Sequence, residues 1–166
     1  MTPMRALPIL LTLILSTASA SAAPPTAAEA FENLASLVGD WEAKTEKGAV
    51  IRINYRVVAA DSVLVQTYTT PSGRHTLTVF HRDGANLLAT HYCAQGNQPR
   101  LRLDGASTDK SLAFQFLDAT NLPDAQASHL HRLAVDLVDA DHIVQTETYT
   151  ADGKDDVGVL RFARVR

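Results

Sequence analysis

From Gly39 to the C-terminus the chain predicts an all-β fold: a closed, antiparallel up-and-down β-barrel of about ten strands, preceded by one short helix. Three observations carry this. β-Branched and aromatic residues alternate with polar ones in short runs, the period of a half-buried strand. Turn residues interrupt those runs every eight to twelve positions. Between the runs there is no helical pattern long enough to cross from one parallel strand to the next, so the connections are hairpins and the sheet is antiparallel. Closing such a sheet on itself removes its exposed edges, with a two-sheet sandwich as the other solution.

Residues 1–22 come first and have the order of a secretory signal peptide. Arg5 is their only charge, Ala6–Leu15 is an apolar run, and Ala18-Ser19-Ala20 and Ala20-Ser21-Ala22 fit the small-x-small rule of signal peptidase. Crossing a bilayer takes about 20 apolar residues, twice the length of this run. Cleavage is expected near Ala20–Ala23, leaving a soluble periplasmic or secreted product without stable membrane insertion. Residues 23–28 read as a linker and 29–166 as one domain. Glu29–Val38 sets Phe31, Leu34, Leu37 and Val38 at helical spacing, and Gly39 ends that pattern.

Strands are expected at 40–46, 49–58, 62–69, 75–82, 85–92, 99–105, 111–118, 129–139, 142–149 and 156–165. The breaks between them include Lys47-Gly48, Pro71-Ser72-Gly73, Asp83-Gly84, Gly96-Asn97, Asp104-Gly105 and Asp152-Gly153. Asp118–Ser128 is a longer stretch without a structural period, of the kind that serves as a binding loop or as a plain surface excursion.

Losing Arg5 with the leader leaves 14 Lys and Arg against 18 Asp and Glu, a net charge of −4. Basic residues are scattered, so neither nucleic acid nor an anionic membrane surface is an expected partner. Cys93 is the only cysteine, which excludes an internal disulfide and leaves stability to an ordinary core.

Gly39-Asp40-Trp41 follows the helix and opens the first strand, and the last strand carries Arg161 and Arg164. This layout resembles the calycins, the lipocalin and fatty-acid-binding barrels. The resemblance implies that Trp41 packs under a C-terminal arginine, Arg161 or Arg164, to close the barrel floor. Thr90-His91-Tyr92-Cys93-Ala94-Gln95-Gly96-Asn97-Gln98-Pro99-Arg100 resembles the signature of a group of bacterial, often exported, lipocalin-like proteins of unassigned function. Phe80–Gly84, Asp118–Leu122 and His129–Arg132 resemble flanking pieces of the same group, so the likeness spans nearly the whole domain. It implies the barrel and no particular chemistry.

Strand alternation then suggests which side chains face inward. Leu87, Ala89, His91 and Cys93 share one face; His129 and His131 share one with Leu133, Val135 and Leu137, opposite Arg132 and Asp136. His75 and His81 fall with Leu77 and Val79, opposite Thr76, Thr78, Phe80 and Arg82, so alternation leaves the facing of that strand open; Leu112, Phe114 and Phe116 fall with Asp118. The expectation is a small, partly apolar ligand held in the interior. Phe114, Phe116, Leu133 and Val135 would wall it, with His91, His131, Asn97 and Gln98, then Cys93 and His129, turned to its polar end. The competing structural reading is a polar network that merely satisfies itself inside a filled barrel.

No cofactor is the leading expectation. The alternative is zinc on His91, His129 and His131, since His129-x-His131 sets two imidazoles on one side of a strand. Haem on His131 or His91 follows only from the calycin resemblance. No catalytic residue is assigned; Cys93 as a nucleophile with His91 as base is conceivable, but no family-specific signature surrounds it.

Overall fold

The computed structural model describes residues 23–166; the leader expected over 1–22 lies outside them. Helix α1 (Ala27–Ala35) is followed by ten strands: β1 (Gly39–Lys44), β2 (Val50–Val58), β3 (Val63–Thr69), β4 (His75–Asp83) and β5 (Asn86–Tyr92), then β6 (Gln98–Leu103), β7 (Ser111–Thr120), β8 (His129–Leu137), β9 (His142–Ala151) and β10 (Lys154–Arg164). Every strand pairs antiparallel with its sequence neighbours, and β10 returns to β1 through Trp41↔Arg164 and Glu42↔Ala163, so the sheet is a closed barrel.

The helix begins earlier than the apolar spacing indicates. Thr26 Oγ1 accepts from the Glu29 amide at 3.3 Å while the Glu29 carboxylate accepts from the Thr26 amide at 2.8 Å. This reciprocal cap satisfies two amides that the first turn would otherwise leave without partners. The helix also ends early: Leu37 and Val38 belong to the turn into β1, and Val38 is exposed. Ala27, Ala30, Phe31 and Leu34 are buried where the helix packs on β2, β4 and β5.

That helix seals one end of the barrel. Beneath it lie the buried rings of Trp41, Phe80, Phe114 and Phe162, with Phe80 and Phe114 at 5.5 Å between centroids. Trp41 Nε1 donates to the Leu37 carbonyl at 2.8 Å. Of the two candidate arginines, Arg164 covers Trp41, its Cζ 4.2 Å from the ring centroid, whereas Arg161 is exposed opposite Val144. Arg164 also donates to the carbonyls of Val38 (2.8 Å), Ser36 (3.2 Å) and Ala140 (3.0 Å), tying the helix exit to the β8–β9 turn. Gly39 has φ +128°, and a Cβ there would stand 3.1 Å from Arg164 Nη1. Backbone freedom and space therefore both call for glycine before the tryptophan.

Two irregularities in register change which residues face inward. Leu130 pairs with Tyr149 and Arg132 with Thr148, so His131 is an extra residue on β8. Arg100 pairs with Asp118 and Leu101 with Phe116, so Leu117 is an extra residue on β7. Such bulges interrupt the period of two and turn the residues beyond them to the other face.

Candidate functional site

The barrel end opposite the helix is open. A cavity of about 560 Å³ lies there, bounded by the β3–β4, β5–β6 and β9–β10 turns and the start of β8. Its wall includes Tyr68 on β3, Cys93 and Gln95 after β5, Ser128 before β8, and Glu147 and Tyr149 on β9. Arg74 enters from the β3–β4 turn, and Lys154 and Asp156 from the first residues of β10. The 121–128 loop borders it too, through Ser128, and the Gln126 carbonyl accepts from the Asp152 amide at 3.0 Å, strapping that loop to the β9–β10 turn.

Two hydrogen-bonded chains run from the core into the cavity wall. In one, Gln66 Nε2 donates to Tyr55 Oη and to Gln145 Oε1, each at 2.6 Å, and Gln145 Nε2 donates to Glu147 Oε1 at 2.7 Å. Burial raises the Glu147 carboxyl above the ordinary range, and the bond from Gln145 offsets this only in part. The Tyr55 phenol is raised as well, first by burial. Tyr68 is pushed up to about 12, by burial first and then by the charge of Glu147.

The second chain holds His91. Its Nδ1 is 3.0 Å from Thr78 Oγ1 and its Nε2 is 3.2 Å from Tyr149 Oη, which in turn is 3.9 Å from Cys93 Sγ. His91 is 2 % exposed, and burial lowers its pKa to about 4, so the ring is neutral at physiological pH. The Tyr149 phenol is raised, again by burial first. Cys93 and His91 are therefore joined through a phenol and make no direct bond, a poor arrangement for a thiol and its base.

Cys93 is the one expected ligand group on the cavity wall; His91 stands directly behind it. Asn97 and Gln98 work on the loops instead. Asn97 Nδ2 donates to the Ser128 carbonyl at 2.8 Å, while its Oδ1 is buried without a partner among the described residues. Gln98 Nε2 donates to the Gly96 carbonyl at 2.8 Å and Gln98 Oε1 accepts from Thr120 Oγ1 at 2.8 Å. These amides tie the β5–β6 turn to the end of β7 and the start of β8.

Three expectations about the interior are corrected. The β8 bulge gives the inward position to fully buried Leu130, so His129 and His131 lie off the cavity. Their rings pack with Phe116, at 4.5 Å (His129) and 5.5 Å (His131) between centroids. Phe114 is in the closed half of the core, so neither phenylalanine walls the cavity, nor do Leu133 and Val135. The β7 bulge turns Asp118 outward, where Arg100 Nε donates to it at 2.5 Å. On β4, whose facing alternation left open, Thr78 and Phe80 are buried and His75 and Leu77 exposed, so His75 and His81 share the outer face.

A zinc site built on His91, His129 and His131 fits this arrangement poorly. Both ring nitrogens of His91 are already engaged inside the wall. His129 Nδ1 pairs with the Ala127 carbonyl at 2.8 Å, its Nε2 is 3.4 Å from His131 Nδ1, and His91 lies in the other cluster. Among the described residues no three His, Cys, Asp or Glu side chains come together as a metal site would require.

Glu147, Tyr149 and Tyr68 were missed by sequence reasoning. Alternation does set Gln145, Glu147 and Tyr149 on one face with Ile143, yet three polar residues in a row of that face read as solvent-facing. Their inward direction follows from the register with Leu130, Leu133 and Val135 on β8.

No family model and no curated protein matches the chain. Solved structures do. A protein of unknown function from the DUF3598 family of Nostoc punctiforme PCC 73102 superposes with TM-score 0.55 at 14% identity, over 80% of this chain and 49% of that one. The chain thus spans about half the length of the Nostoc protein. Rv2717c from M. tuberculosis superposes with TM-score 0.56 at 15% identity, over 82% of this chain and 98% of that one. At these identities the likeness shows the barrel fold and no activity.

Proposed function

We propose that this chain is an exported barrel that binds a small, partly apolar molecule at its open end. The observation that carries the reading is the asymmetry of the interior. One half is filled with aromatic and aliphatic side chains under the helix; the other holds a cavity of about 560 Å³. Pockets for small molecules commonly have about 300–1,000 Å³, with apolar walls and a few convergent polar groups. Here the rings of Tyr68 and Tyr149 and the methyls of Ala94 and Ala151 supply apolar surface, Glu147 and Cys93 supply polar groups on the wall, and Arg74, Lys154 and Asp156 add charge. The lipocalin-like resemblance of the Thr90–Arg100 segment agrees with a carrier, and the leader with action outside the cytoplasm.

Native mass spectrometry of mature protein from the exported fraction tests this, beside an Ala151→Trp variant that fills the cavity from its wall. A stoichiometric organic mass in the wild type, lost in the variant, is the expected outcome. A clean apo mass, with no uptake from a panel of lipids and aromatic small molecules, would sink the reading. Elemental analysis and the Soret region of the same sample test zinc and haem at His91, His129 and His131.

A further inference from the structure

We propose that the open-end cavity takes a small organic cation, an amine on an apolar body, whose ammonium group pairs with the Glu147 carboxylate beside Tyr68 and Tyr149. The inference rests on the cavity reading above and names the chemistry of its ligand.

Glu147 is held in place from behind. The chain from Tyr55 through Gln66 and Gln145 ends in one bond to Glu147 Oε1, and that bond orients the carboxyl on the cavity wall. Among the described residues Gln145 is the sole donor to Glu147, and no Lys, Arg or His lies within ion-pair distance of it. A carboxylate set deep in a barrel with one donor is costly to ionise, and the raised Glu147 agrees with that cost. An incoming ammonium group removes the cost by supplying both a charge and donors.

The neighbours fit the same occupant. Tyr68 and Tyr149 line the cavity on the strands either side of the opening, and aromatic faces attract organic cations. His91, behind Tyr149, is neutral and adds no competing charge. Arg74 and Lys154 do line the cavity, with Asp156 among them, but neither pairs with Glu147, and the charge of Arg74 acts on Tyr68. A cation must therefore enter amine first, leaving its apolar body toward the turns.

Isothermal titration of the mature protein at pH 7.5 with phenethylamine, 2-phenylethanol and 3-phenylpropionate tests this, using wild type, Glu147→Gln and Ala151→Trp. Far-UV circular dichroism checks that each variant is folded. The amine should bind at least about tenfold more tightly than the alcohol, as a charge-assisted bond implies. That advantage should vanish in Glu147→Gln, and all binding in Ala151→Trp. Equal binding of amine and alcohol, or an amine affinity unmoved by Glu147→Gln, overturns the inference. If the alcohol or the propionate binds best and Ala151→Trp abolishes it, the cavity reading stands while the cation falls. If none of the three binds, the cation inference falls, and the native mass decides the cavity separately. An amine-to-alcohol ratio near one in wild type overturns the inference even if Glu147→Gln fails to fold.

Discussion

Removing the Arg164 side chain should destabilise the barrel severely, and the same change at Arg161 should not. Arg164 donates to three backbone carbonyls, at 2.8, 3.0 and 3.2 Å, and lies 4.2 Å over the Trp41 ring. Hydrogen bonds of this kind contribute about 0.5–1.5 kcal/mol each after solvent exchange, and a partly desolvated cation–π contact about 1 kcal/mol. Some of the freed carbonyls regain water, so Arg164→Ala should cost about 2–4 kcal/mol. The residue also sits on the shortest strand pairing of the barrel, where β1 meets β10 at two registered positions. Arg164→Lys keeps the charge but loses the fork that reaches three carbonyls, and should fall between. Trp41 is the sole tryptophan and is fully buried, so its emission reports unfolding from the same site. Urea titration followed at Trp41 gives the free-energy differences at constant slope. A loss below about 1 kcal/mol for Arg164→Ala, or an equal loss for Arg161→Ala, would refute the closure argument.

The pH dependence of stability should carry the signature of His91. Its folded pKa is about 4, below the ordinary 6.5, so the unfolded chain takes up the proton first as the pH falls. The stability it contributes is complete above about pH 6.5 and is lost between there and pH 4, by about 3 kcal/mol. His91→Gln should lose that part of the slope, measured as the wild-type-minus-variant difference in unfolding free energy at pH 7 and 4.5; an unchanged difference would contradict a neutral, buried ring. The β2–β3 turn offers a stabilising change. Ala59, Ala60 and Asp61 all have positive φ, at 54°, 53° and 59°, a region that costs a side-chain-bearing residue about 1 kcal/mol or more. Ala60→Gly should raise the melting temperature by about 2–4 °C; a fall in calorimetry would show that the turn is not strained.

Local chemistry determined much of this molecule. Alternation and turn residues specify ten strands and their antiparallel order, because a half-buried strand must repeat every two residues and a hairpin needs its Gly, Asn or Asp. All ten expected strands are present with ends shifted by a few residues. Gly39 and Trp41 mark the closed end only through the calycin resemblance; the structure supplies the reason, a positive φ at Gly39 beneath Arg164. Leu87, Ala89, His91 and Cys93 face as their spacing implies because no bulge interrupts β5. What tertiary structure alone decided is the content of the open end. The extra residues at Leu117 and His131 reverse the parity of everything between them and the 121–128 loop, exchanging His129 and His131 for Leu130 and moving Asp118 outside. A bulge is a property of two paired strands, so one strand's pattern does not disclose it. Glu147 and Tyr149 are its counterpart: polar residues on β9 that face inward because the register with β8 puts them opposite Leu133 and Leu130.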